Sequence, residues 1–325
     1  MMKLFDLHCD TLYRAYTENG SFFEDHYHIS YDKTKNIAPY LQCMAVWTPD
    51  EYRGESAVRL FEGCLDKLRE QLAGSGMRQC VTFDEMQDAA DHQEKAVVLT
   101  VEGGAVLAGE LERIGILKKA GVRIMTLTWN GRNELGDGVG VDNAGGLTDF
   151  GKQALKAMEQ ADIAADISHA SERLFYDVAQ YSTRPFLATH SNAKAVCPHK
   201  RNLTDEQFSI IQQKGGIVGL NFCRDFLHKQ STNAKMYDII RNAEHFLSLG
   251  GEETLAIGSD FDGCDIPSDM QGIASMPTLY EMFLHHNYSE ALLQDIFFHN
   301  ALRFFQRYET APVSSEAINR KKEMV

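Results

Sequence analysis

Eight short apolar segments rich in β-branched residues recur along this chain, at 3–8, 41–47, 96–101, 122–128, 162–168, 185–190, 216–221 and 254–259. Their hydrophobicity is nearly continuous, the mark of parallel strands covered on both faces; a strand with one wet face alternates apolar and polar residues instead. Stretches of helical period lie between most of them, such as 56–72, 106–120, 150–160, 171–181 and 205–214, and 233–249 and the closing 289–308 have the same period. Ser171 and Thr204-Asp205 stand where helix N-caps belong. Strand–helix alternation sustained over eight units favours an α/β chain closed as a single (β/α)₈, TIM-like barrel over an open sheet. The stretches 11–40 and 74–95 do not fit the alternation and must hold inserted loop or small β structure.

At 325 residues and 44% hydrophobic, the chain can bury a sizeable core. No internal repeat, low-complexity tract or linker divides it, so one domain over 1–310 is expected, followed by a polar C-terminal tail over 311–325. A formal charge of −14, from 46 acidic and 32 basic residues, argues against nucleic-acid and anionic-membrane partners. It leaves a small anionic substrate open, since one local arginine outweighs a distant field. No apolar run approaches the ~20 residues of a membrane span. With a strand expected from Lys3 on, no signal peptide is expected either. The seven cysteines are scattered without a C-x-x-C pair, which suits reduced thiols in a cytoplasm. A homodimer would be unsurprising.

Chemistry in such barrels collects at the C-terminal ends of the strands. Read in order, those ends carry His8 and Asp10, Glu102, Trp129, His169, His190 and Asp260. Residues two apart in a strand point the same way, so His8 and Asp10 can converge on one ion. Imidazole and carboxylate are ordinary ligands for zinc and similar divalent ions. The set is large enough for two ions bridged by Glu102, with Gly103 and Gly104 letting backbone and substrate come close. Each residue alone has a plain alternative, as an ion-pair partner, a helix cap or a satisfied core polar group. Three histidines and three acids, all six at corresponding positions of eight units, are hard to explain that way. His26 and His28 fall in an insertion and read as loop histidines, while His285, His286 and His299 read as surface or packing residues. Asp262 lies two residues from Asp260 and can exchange roles with it. The loop over 130–146 holds six glycines and belongs on the active face.

The segments DLHCD, VEGG, MTLT, GLTDFGKQALKAM, DISHAS, THSNA, KRNL and GSDFDG, in that order and spacing, resemble the membrane (renal-type) dipeptidases, a family of zinc metallopeptidases. The resemblance runs from residue 3 to about 308. It implies a distorted (β/α)₈ barrel with two zinc ions, one held by His8, Asp10 and Glu102 and the other by Glu102, His169 and His190. It also implies that Asp260 is the catalytic acid/base and that Arg201 grips the substrate's carboxylate. The implied substrate is a dipeptide with a free C-terminal carboxylate, including one with a D-residue at that end.

Two residues depart from the family pattern. Trp129 stands where a histidine usually helps stabilise the tetrahedral intermediate, and Cys223 where a tyrosine is common. An indole N–H can donate but cannot take up a proton. Trp129 is therefore expected to wall the pocket, with Asn130 or Asn133 supplying the polar contact to substrate; equally, both asparagines can simply hold turns. Two other functions compete. A dinuclear amidohydrolase would act on a cyclic amide or an N-acyl amino acid, but many of these bridge their metals with a strand-four lysine that 122–128 lacks. A degenerate, non-catalytic scaffold would have no reason to keep the ligand set.

Overall fold

The computed structural model describes residues 1–312, so most of the expected tail, from 313 on, lies outside the described residues. Eight parallel strands form one curled sheet: β1 (Met2–Cys9), β2 (Ile37–Trp47), β3 (Arg78–Gln79), β4 (Lys95–Glu102), β5 (Val122–Thr126), β6 (Ala164–Asp166), β7 (Val218–Leu220) and β8 (Leu255–Ile257). The order across the sheet is β6-β5-β4-β2-β1-β8-β7, with β3 a short addition beside the start of β4. The stretch 185–190 is not a regular strand, yet it closes the barrel. Ile167 N–H donates to Leu187 O and Leu187 N–H to Ala165 O on the β6 side; on the β7 side Ala188 N–H donates to Ile217 O, and Ala188 O accepts from Gly219 N–H. Thr189 O then runs so close to Gly219 and Gly258 that neither position has room for a Cβ. The result is a distorted (β/α)₈ barrel.

Period-two geometry sorts the strand residues. Phe5 and Leu7, Leu41 and Cys43, Ala96 and Val98, Ile124, Ala164, Leu187, Ile217 and Ala256 form one buried cluster, the barrel interior. Its lower end is closed by Phe298, Leu302, Phe305 and Tyr308 from the C-terminal helical segment. Continuing up the same faces leads to Trp47, Glu102, Thr126 and Asp166, so the packing that fills the barrel also points the polar residues at its mouth. The opposite faces pack on helices such as Glu55–Ser75, Asp149–Gln160 and Met236–Ser248.

Ser171 and Thr204 cap their helices, accepting from Leu174 N–H and Gln207 N–H. The expected helix over 106–120 is broken: a 3₁₀ turn, Gly104–Leu107, precedes a helix at Arg113–Ala120. Ala108 and Gly109, at φ 49° and 76°, cannot continue a right-handed helix. The closing 289–308 stretch is likewise interrupted by a π turn at Asp295–His299. Among the described residues, no helix is long and apolar enough to cross a membrane.

Candidate active site

The strand ends bring His8, Asp10, Glu102, His169, His190 and Asp260 together, all at most 9% exposed. Glu102 stands in the middle and divides its oxygens. Oε2 faces His8 Nε2 at 3.6 Å, and that same nitrogen lies 3.4 Å from Asp10 Oδ2. Oε1 faces His169 Nε2 at 2.8 Å and His190 Nε2 at 3.7 Å. Asp260 approaches from the other side, Oδ1 lying 3.8 Å from His8 Nε2.

Hydrogen bonds behind the cluster set which histidine nitrogens are bare. The Asp166 carboxylate accepts from Ser168 N–H and Thr189 N–H on Oδ1, both at 2.9 Å, and from the Thr126 and Thr189 hydroxyls on Oδ2, both at 2.6 Å. Having donated its proton to Asp166, Thr189 Oγ1 can only accept from His190 Nδ1, 2.8 Å away. His169 Nδ1 donates to Asn130 Oδ1 at 2.9 Å. Both rings therefore carry their proton on Nδ1 and turn an unprotonated Nε2 inward. Those two lone pairs sit 3.0 Å apart and repel unless a cation lies against them. Asp6 plays the matching part under β1, accepting from His8 N–H, Ser259 N–H and the Ser259 hydroxyl.

The electrostatics call for positive charge. Burial raises the Glu102 carboxyl to about 7 and the Asp260 carboxyl to about 6, with Asp10 adding to both and His8 opposing both. Burial works against charge on His8 too, but the Glu102 and Asp10 carboxylates outweigh it and raise that imidazole. Burial, together with the positive charges of Arg201 and His8, keeps His169 and His190 neutral. His8 Nε2 and Asp10 Oδ1 are buried without a hydrogen-bond partner. Bare imidazoles, buried carboxylates and orphaned ligand atoms on one point fit a divalent-ion centre. His169 and Asp260 hold positive φ, 68° and 61°, a strain of order 1 kcal/mol each that the surrounding packing must sustain.

Above the cluster opens a cavity of about 370 Å³ whose walls include Tyr13, Trp47, Trp129, Asn130, Cys223 and Phe226. Trp129 makes an edge contact with Trp47 (centroids 4.9 Å), which makes another with Tyr13 (4.8 Å), so Trp129 belongs to an aromatic wall. Asn130 lines the cavity, but its side-chain oxygen is engaged with His169. Asn133 does not line it: Nδ2 donates to Leu127 O while Oδ1 accepts from Leu135 N–H and Gly136 N–H, so this side chain holds a turn and not a substrate. The glycines of the loop serve close packing, since a Cβ on Gly138 or Gly140 would strike the backbone at Asn130.

Asp262 is separated from Asp260 by its partners. Its carboxylate, fully buried, accepts from the Thr11 hydroxyl at 2.6 Å, His28 N–H at 2.7 Å and Arg14 Nη1 at 3.3 Å, pinning the inserted segment to the barrel. His28 Nδ1 in turn accepts from Asp262 N–H, and His26 pairs with Glu18 at the surface. Arg201 lies beside the cluster, 5.3 Å from the Phe226 ring, and donates weakly to His190 O at 3.4 Å. It lines an adjoining cavity of about 230 Å³ and not the one over the cluster. Its Nε has no partner, and among the described residues no carboxylate pairs with it. Sequence reasoning missed Asp6, Asp166, Thr189 and Asn221. For Asp6 and Asp166 the available signal was a carboxylate two or three residues before a strand-end histidine, His8 and His169.

Residues 1–319 match the family model described as membrane dipeptidase, peptidase family M19. A Klebsiella pneumoniae protein from the pqqA 5′ region is 32% identical over 247 residues, covering 73% of this chain and 91% of that protein. Dipeptidase 3 of Macaca fascicularis is 28% identical over 81% of this chain, which spans only 55% of that longer protein. Among solved structures, a metallopeptidase of family M19 described as dipeptidase AC superposes with a TM-score of 0.87 at 26% identity, covering 94% of this chain and 98% of its own. A Rhodobacter sphaeroides metallopeptidase, solved with a phosphinate mimic of the dipeptide L-Ala-D-Ala, shares the fold at TM-score 0.87 and 24% identity, covering 94% and 99%. This chain belongs to the membrane dipeptidase family, peptidase family M19, and is a metal-dependent peptide-bond hydrolase.

Proposed function

We propose that the chain is a dinuclear zinc dipeptidase that cleaves dipeptides with a free C-terminal carboxylate, a D-residue at that end included. The observation that carries this reading is the division of Glu102, one oxygen toward His8 and Asp10, the other toward His169 and His190. His8, Asp10 and Glu102 would hold one zinc, and Glu102, His169 and His190 the second. When bound, the ions supply a Lewis acid for the scissile carbonyl and acidify the attacking water. Asp260 accepts that water's proton and returns it to the leaving amine, a role supported by its buried carboxylate, whose Oδ1 faces the cluster 3.8 Å from His8 Nε2. Arg201 takes the C-terminal carboxylate on its planar fork, and a buried guanidinium whose Nε has no partner supports that role. Trp129 serves as wall, while Asn130 fixes His169.

All seven cysteines are free, which supports a reducing compartment such as the cytoplasm. Zinc analysis combined with a hydrolysis screen over dipeptides, with L- and D-residues at each position, tests the reading. Cleavage of N-acyl amino acids or cyclic amides in preference to free dipeptides would replace it with the amidohydrolase function.

A further inference from the structure

We infer that Asn221 is a positioning residue that holds the Asp260 carboxylate with its Oδ1 turned toward the cluster. Asn221 ends the β7 segment and is fully buried. Its Oδ1 accepts from Cys223 N–H at 2.5 Å, and a backbone N–H cannot be an acceptor, so the orientation of the amide is forced. The Nδ2 group must then point the other way, where it donates to Asp260 Oδ2 at 3.0 Å. The Asn221 backbone is itself clasped. Its N–H donates to Asn192 Oδ1 at 3.1 Å, and Asn192 Nδ2 returns a bond to Asn221 O at 2.8 Å. Asn192 is anchored in the loop after Thr189, and the next residue, Ala193, donates its N–H to Asn242 Oδ1 on the helix Met236–Ser248. A rigid chain of amides thus runs from an outer helix to one carboxylate oxygen.

The chemical consequence follows from donor and acceptor roles. With Oδ2 engaged by an N–H, the oxygen left free to meet water and substrate is Oδ1, which lies 3.8 Å from His8 Nε2 and faces the cluster. Proton uptake and delivery are therefore confined to the side where water attacks and the amine leaves. Without Asn221, either oxygen can take the proton and the carboxylate can rotate away from the cluster. Asn221 hydrogen-bonds none of the proposed ligand side chains; besides Asp260, its Nδ2 reaches the backbone O of His190, at 3.4 Å.

The inference rests on Asp260 being the acid/base, and the test separates the two. Asn221→Ala, and the isosteric Asn221→Asp, which keeps the acceptor for Cys223 N–H but loses the donor, are compared with Asp260→Asn for zinc content, kcat and KM on one good dipeptide. Asp260→Asn should lower kcat by ~10² or more. Both Asn221 variants should keep their zinc, hold KM within about threefold and lower kcat by ~10-fold or more, as expected when a catalytic group is misplaced. Adding Asn221→Ala to Asp260→Asn should then change kcat less than about twofold, because the group it positions is gone. Wild-type kcat in both Asn221 variants beside a crippled Asp260→Asn overturns the positioning role alone. The same fractional loss with and without the Asp260 carboxylate also overturns it, as a structural effect. An active Asp260→Asn overturns the acid/base assignment itself.

Discussion

Asp166→Asn is a substitution of one atom that should disarm the proposed zinc centre from behind. Asp166 Oδ1 faces two backbone N–H groups, which can only donate, so the carboxamide oxygen must take that side. The new NH₂ then replaces Oδ2 and faces the Thr126 and Thr189 hydroxyls, both at 2.6 Å. Thr189 Oγ1 changes from donor to acceptor there, and its proton has to turn elsewhere. One direction is His190 Nδ1 at 2.8 Å, which would move the ring proton to Nε2 and block the metal-facing nitrogen. The other is Ser168 Oγ at 3.3 Å, a weaker bond that preserves the tautomer but removes the negative charge behind the imidazole. Both routes weaken the His190 ligand. Changes of this kind behind a metal typically cost 10–100-fold in affinity, about 1.4–2.8 kcal/mol. Competition with a chromophoric zinc chelator measures this, with circular dichroism confirming that the isosteric variant folds. Activity should return at saturating zinc, since the ligand set itself is intact. Wild-type zinc affinity in Asp166→Asn would refute the tautomer assignment.

Amidating the C-terminus of a good dipeptide should lower kcat/KM of the wild type by ~30-fold or more, the scale of truncating one side of a buried charge pair, and should matter little to Arg201→Met; equal losses in both would show that the arginine faces elsewhere. Trp129→His should leave kcat/KM near the wild-type value. A gain approaching ~10²-fold, the worth of one oxyanion donor, would mean that the wild-type site lacks a donor. Acidification should weaken the zinc-loaded protein. Burial and nearby positive charge lower His169 and His190 well below their ordinary 6.5, so their contribution is fully present above that pH and is lost progressively as pH falls from there toward the lowered folded values. The melting temperature and bound zinc should both fall as pH is lowered below about 6.5; constancy of both would contradict the assignment.

The convergence of His8, Asp10, Glu102, His169, His190 and Asp260 was legible because they sit at strand ends, where a polar side chain interrupts an apolar run at a position the fold assigns to chemistry. The barrel was legible through the same runs, although 185–190 could not be told from a regular strand. Its apolar character is that of its neighbours, and only the pairing on both sides shows single bridges in place of a ladder. The helix at 106–120 failed because periodicity does not register the reversal of φ at Ala108 and Gly109. The supporting residues were hidden for a different reason. Asp6 and Asp166 lie inside apolar segments, and what makes them matter is which hydroxyls and amides of other strands reach them. The same holds for Asn133 and Asn130, three residues apart on one loop. One closes a turn and the other orients His169, a distinction set by which groups reach each side chain.

Metal content of the purified protein tests the central claim most directly, measured on the wild type and on Glu102→Ala after dialysis against limiting zinc. A centre bridged by Glu102 requires two zinc ions per chain in the wild type. It also requires a larger loss in Glu102→Ala, which touches both half-sites, than in His169→Ala, which touches one. A wild type holding a single ion, or a Glu102→Ala variant with full occupancy, would contradict the dinuclear centre.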